Sequence, residues 1–244
     1  MVPKSKKKFL KIGYSLIFIN SLFLFPSIVF PEVIVHDMIA VKGEEVMIEV
    51  ETKGKLFRKG GEVVEIFLDG KTLGKSLSGG DGFAFKQFKP VKAGKYQITA
   101  KSGKEEGKGL FFSLRKGDRI LFVDVEGSLS EGVFSEQPKK GSQETIQRLS
   151  IRFPIVFLQT GILNANAMKS WLKQNGFKEL PVIPWNQGAI FDEIKEKGLK
   201  IKAIIGSKTV IESAKKYKPK AFSFEEVEDT YEGKDWEEIG KKLK

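Results

Sequence analysis

The run RILFVDVEGSL (119–129) is apolar up to Asp124, and Glu126 follows two residues later. Where a strand bends at its end, side chains two residues apart can reach one pocket. A carboxylate pair placed there can divide a reaction between an attacking group and a proton donor. Two more apolar runs end in polar residues: IVFLQT (155–160) in Gln159-Thr160, and IKAIIGSK (201–208) in Gly206-Ser207-Lys208. Lys200 and Lys202 flank Ile201, and Asp192, Glu212, Glu225, Glu226, Glu228 and Asp229 supply further carboxylates. The chain has no cysteine and one histidine, His36. That composition excludes disulfides, thiolate nucleophiles and Cys-based zinc sites, and makes a His-dependent triad depend on His36 alone.

These residues need elements to hold them, and the sequence has two rhythms. From 33 to 116, VMIEVET, VVEIFLDG and YQITAKSG alternate apolar and polar residues, and LFFSLRK closes the stretch. Turn chemistry separates them at Lys59-Gly60-Gly61, Asp69-Gly70 and Gly79-Gly80-Asp81-Gly82. Period-two alternation with such turns predicts an antiparallel, half-buried β-sandwich. Ala93-Gly94-Lys95-Tyr96, stepping into a strand, resembles the entry common in bacterial immunoglobulin-like domains. After Gly117, short continuous apolar runs alternate with helix-like stretches (AMKSWLKQNGF, AIFDEIKEKG, TVIESAKKY). That alternation predicts an α/β domain with a parallel sheet over 118–244. Ligands of such sheets bind at the carboxyl ends of the strands, where Asp124, Thr160 and Ser207 stand.

The strand followed by Asp124-Val125-Glu126-Gly127-Ser128-Leu129 resembles the first motif of the haloacid dehalogenase-like superfamily. The resemblance implies a parallel-sheet, Rossmann-like domain and a Mg²⁺-dependent phosphatase. Asp124 would be the nucleophile forming an aspartyl-phosphate, Glu126 the acid/base, and Thr160 the residue holding the phosphoryl group. Lys202, or its neighbours Lys200 and Lys208, would neutralise the phosphoryl charge. Asp124 and Glu126 would ligate the Mg²⁺, with Glu212 as a substitute, because Ser207 stands where the family has its metal-binding acid. Glu126 is one methylene longer than the family's Asp. Trp171-Leu172 and Gly176-Phe177 resemble a stretch of the lipin-type members, whose layout also sets a β-sandwich before the catalytic fold. The segment GVFSEQPKKGSQETIQRLS (132–150) is short for an insertion, which implies an open site suited to head groups or macromolecular phosphates.

Lys4, Lys6, Lys7, Lys8 and Lys11 precede an uncharged stretch from Ile12 to Phe30. A basic start and an apolar run of this length predict a secretory signal or a membrane anchor over 1–32. The rest of the chain is then exported, periplasmic or otherwise extracytoplasmic. The net charge of +11 favours anionic partners, a phosphorylated substrate or a membrane surface. No basic motif interleaved with aromatics points to nucleic acid. Two classes stay open: an exported phosphatase acting on a phosphate monoester, such as a phospholipid head group, or a catalytically degenerate envelope module with a binding or structural role.

Overall fold

A computed structural model describes residues 32–55, 57–132, 137–227, 231–232 and 235–243. Residues 1–31 of the leader segment, Glu228 and Asp229 lie outside these residues, and Glu32 already belongs to the first strand. No helix among the described residues is long and apolar enough to cross a membrane.

Eight strands build the first half: β1 Glu32–Val35, β2 Met38–Val41, β3 Val46–Lys53, β4 Val63–Leu68, β5 Lys71–Leu77, β6 Phe83–Phe88, β7 Gly94–Ser102 and β8 Glu105–Leu114. They form two facing sheets, ordered β1-β3-β6 and β2-β8-β7-β4-β5. Alternation drives the packing. Ile48, Val50, Val64, Ile66, Ile98 and Ala100 point inward and are fully buried, while their neighbours in sequence face outward. The β4–β5 hairpin closes on two residues, Asp69 and Gly70, both at positive φ (47° and 78°). That is the conformation such a turn needs to match the strand twist.

β1 and β2 are one stretch of chain that changes sheets at His36-Asp37. β1 pairs antiparallel with β3 and β2 pairs parallel with β8. β8 departs from the half-buried pattern, since its last six residues, Gly109–Leu114, are all buried. Phe111 faces the sandwich core, whereas Phe112 and Leu114, with Ile39 and Val41 of β2, join the core of the second half.

The second half holds β9 Arg119–Asp124, α1 Ser142–Leu149, β10 Ile155–Gln159, α2 Ala165–Gln174, β11 Val182–Pro184, α3 Ala189–Glu196, β12 Lys200–Ile205, α4 Lys208–Ala214, β13 Lys220–Ser223, β14 Tyr231–Glu232 and α5 Trp236–Lys242. Its six strands are parallel in the order β11-β10-β9-β12-β13-β14. β9 sits near the middle, and Ile120, Leu121, Phe122 and Val123 are wholly buried.

The fold class expected from the sequence, an immunoglobulin-like sandwich followed by a separate haloacid dehalogenase-like domain, needs correction. The segment 132–150 contains α1. The sandwich keeps its own core, and Ile39 and Val41 of β2 with Phe112 and Leu114 of β8 pack from it into the core of the parallel-sheet half. The strand ends of the parallel sheet also carry none of the superfamily's metal chemistry, as the site shows.

Candidate functional site

Asp124 ends β9, and β10 and β12 flank that strand on either side. Neighbouring strands lie about 4.8 Å apart, so the three carboxyl ends present Asp124, Thr160 and Ser207 to one another. Asp124 is 1 % exposed. Its Oδ1 accepts from Thr160 Oγ1 at 2.6 Å and from the Gly127 amide at 3.0 Å. Its Oδ2 accepts from Ser207 Oγ at 2.8 Å and from the Ser207 amide at 3.1 Å. Four donors therefore fill the carboxylate from inside the fold.

Local geometry explains why the chain closes this way. After Asp124 the backbone makes one wide helical turn, Val125–Leu129, capped at its start by the Asp124 side chain. Ser128 Oγ donates back to the Asp124 carbonyl at 2.5 Å. Trp236, fully buried on α5, donates its indole N–H to the Ser128 carbonyl at 3.0 Å. Gly206 permits the close approach of β12, since a Cβ there would fall 2.7 Å from the Asp124 Cβ.

The other expected site residues go elsewhere. Glu126 reaches the loop after β10, where its Oε1 accepts from the Leu163 amide at 3.1 Å. In that position it closes a loop rather than attending a leaving group. Lys202 lies beside the Phe153 ring, its Nζ 5.7 Å from the centroid. The next residue, Ala203, pairs with Leu121, three residues short of Asp124, which at about 3.3 Å per residue is roughly 10 Å back along the sheet. Lys202 is thus no phosphoryl clamp. Glu212 sits on the exposed side of α4 and pairs with Lys208 at 3.8 Å. Lys208 is engaged there, and Lys200 is exposed at the start of β12.

These residues do not fit Mg²⁺. The Asp124 oxygens are already occupied by donors, Glu126 and Glu212 are directed elsewhere, and Ser207 is a donor to Asp124. No group of three His, Cys, Asp or Glu side chains among the described residues could hold a metal. His36 is half exposed between β1 and β2, 3.7 Å from the buried Glu51, and makes no hydrogen bond or ion pair with Asp124, Thr160 or Ser207.

Sequence reasoning missed a second buried carboxylate, at the junction of the two halves. Asp37, whose side chain is fully buried, accepts from the Leu110 amide of β8 and from the Val182 amide of β11, each at 2.8 Å. It also pairs with Lys169 of α2 at 2.6 Å. Asn166 to Glu32 (2.7 Å) and Lys197 to the Ile39 carbonyl (2.9 Å) cross the same junction.

No protein-family model matches the chain, and no curated protein matches it. Among solved structures, it is similar to a protein described as membrane-anchored from Corynebacterium diphtheriae (18% identity, 36% of this chain and 22% of that one, TM-score 0.33). It is also similar to fibronectin(III)-like modules of Clostridium thermocellum CbhA (15% identity, 36% and 48%, TM-score 0.28), and to domains 4 and 5 of the S-layer protein SbsC (18% identity, 34% and 53%, TM-score 0.26). The chain spans less than two thirds of each of these. The haloacid dehalogenase-like assignment, the lipin-type layout and the phosphatase activity expected from the sequence are not upheld, because the motif at 124–129 forms a closed hydrogen-bonded knot around Asp124.

Proposed function

We propose that this chain is an extracytoplasmic module with a structural or binding role, in which the strand-end acid Asp124 holds the fold together. The observation that carries the reading is the filling of both Asp124 oxygens by Thr160, Gly127 and Ser207. A carboxylate that must attack phosphorus needs an oxygen free to face its substrate, and here each oxygen takes two donors from the fold itself. Asp37 and the packing of Ile39, Val41, Phe112 and Leu114 against the second half support the same reading, since they join sandwich and parallel sheet into one block suited to presenting a surface.

The place outside the cytoplasm rests on the lysine-rich start and the uncharged run 12–30, which would export the chain or anchor it. Reporter fusions after residue 40 test this part: a periplasm-dependent reporter is expected to be active, and activity only of a cytoplasm-dependent one would overturn it. The role is tested by assaying the exported chain on an aryl phosphate with and without Mg²⁺. Hydrolysis at the protein-free rate is expected. Mg²⁺-dependent turnover that disappears in Asp124→Asn would overturn the reading.

A further inference from the structure

The junction that Asp37 ties together leaves a cleft of about 420 Å³ between β8 and α2, within the range of small-ligand pockets. Leu110, Leu172 and Phe177 form an apolar floor, and each keeps a small part of its surface accessible (5–7 %). Lys108, Lys173 and Lys178 stand exposed around the opening; Lys108 also pairs with the exposed Glu106 at 3.0 Å, and Lys178 donates to Ser150 Oγ at 3.1 Å. A fourth lysine, Lys169, is neutralised inside by Asp37 at 2.6 Å. The remaining lining acid, Glu179, points to Lys95 outside the cleft, 3.9 Å away. The cleft is therefore apolar at its base and cationic at its rim.

We propose that this cleft binds a single-chain anionic amphiphile, with its apolar chain on the Leu110–Leu172–Phe177 floor and its anionic head against Lys108, Lys173 and Lys178. Burial of the chain supplies the favourable free energy, and the rim selects the head by charge. A neutral chain of the same length satisfies only the floor. A bare anion satisfies only exposed ammonium groups, which are screened by water and salt. The inference goes beyond the structural or binding role proposed above and does not depend on Asp124.

The test is calorimetric titration of the exported chain, purified without detergent, with decyl phosphate below its critical micelle concentration. Decanol, inorganic phosphate and vesicles of phosphatidylglycerol and phosphatidylcholine serve as comparisons. Saturable one-to-one binding of decyl phosphate is expected, at least tenfold tighter than decanol, with none for inorganic phosphate. The double variant Lys108→Gln/Lys173→Gln should lose at least tenfold in affinity for decyl phosphate. Ser170→Trp, which fills the mouth from the exposed side of α2, should abolish binding. Lys71→Gln/Lys75→Gln, on the distant β5, should bind like wild type. Unchanged melting temperatures confirm that each variant is folded. Undiminished binding by the rim or mouth variants would overturn the proposal. So would inorganic phosphate binding as tightly as decyl phosphate, multi-equivalent uptake, or binding to anionic vesicles without binding to the monomer. An absence of binding overturns this proposal while leaving the role of Asp124 untouched.

Discussion

Ser207 gives both its backbone N–H and its hydroxyl to one oxygen of Asp124, at 3.1 and 2.8 Å. A residue standing where a metal-binding acid was expected is thus a double donor to the acid it would have assisted. The charge arithmetic changes with it: two carboxylates side by side attract a cation, whereas one carboxylate facing hydroxyls and amides is already neutralised by dipoles.

Removing Asp124 therefore costs stability. Asp124→Ala leaves Thr160, Ser207 and two backbone amides without their acceptor in a buried place, and a loss of about 3 kcal/mol or more is expected. Ser207→Ala and Thr160→Val each remove one donor and are expected to cost about 1 kcal/mol. Equilibrium urea unfolding of the variants checks the ordering Asp124→Ala, then Ser207→Ala and Thr160→Val.

Gly206→Ala tests the close approach itself. Its Cβ would fall 2.7 Å from the Asp124 Cβ, so β12 must shift from β9, at a cost of about 1–3 kcal/mol. Gly80→Ala, where a new Cβ meets nothing within 4 Å, is the control and is expected to stay within about 0.5 kcal/mol of wild type.

Asp37 couples the halves. Asp37→Ala orphans the Leu110 and Val182 amides and leaves Lys169 unpaired at the junction, for an expected loss of about 3–5 kcal/mol. Scanning calorimetry should show the single unfolding transition broadening or splitting in Asp37→Ala. A variant as cooperative and as stable as wild type would remove Asp37 from this role.

A surface cluster makes a small pH-dependent contribution to stability. The Lys216 ammonium, and then the Tyr217 hydroxyl, hydrogen-bond Asp192 and hold its carboxyl below the ordinary carboxylate range. A group whose folded pKa is depressed adds stability that is complete above its unfolded pKa and is lost as pH falls through the folded one. Melting temperature against pH should therefore fall less steeply on the acid side for Asp192→Asn than for wild type, with the two curves parallel above the carboxylate range.

Much of this was legible locally. The alternation of VMIEVET and VVEIFL places β3 and β4, Asp69-Gly70 places their neighbouring hairpin, and Asn164 caps α2 by accepting from the Ala167 amide at 2.9 Å. Asn166, two residues on, reaches Glu32 instead. The continuous burial of β8 was written in Leu110-Phe111-Phe112, a run too apolar for a strand with one wet face. α5 carried a usable signal as well: Asp235 and Glu238 sit at capping-box spacing, and the Asp235 side chain accepts from the Glu238 amide at 2.8 Å. Asp37 carried none, because its backbone partners lie 73 and 145 residues away. Asp124 was visible as a strand-end acid, but its role depended on which way Thr160, Ser207 and Glu126 turned, and only the packed strand ends decide that.

The most direct test of the central claim is the sign of the stability change in Asp124→Asn, measured by urea unfolding of the exported chain. Asn keeps the shape but sets an N–H₂ group against the donors on one side. The variant is expected to be less stable by about 2 kcal/mol. A variant as stable as wild type, or more stable, would mark Asp124 as a residue held for chemistry at the expense of stability, and would contradict the account.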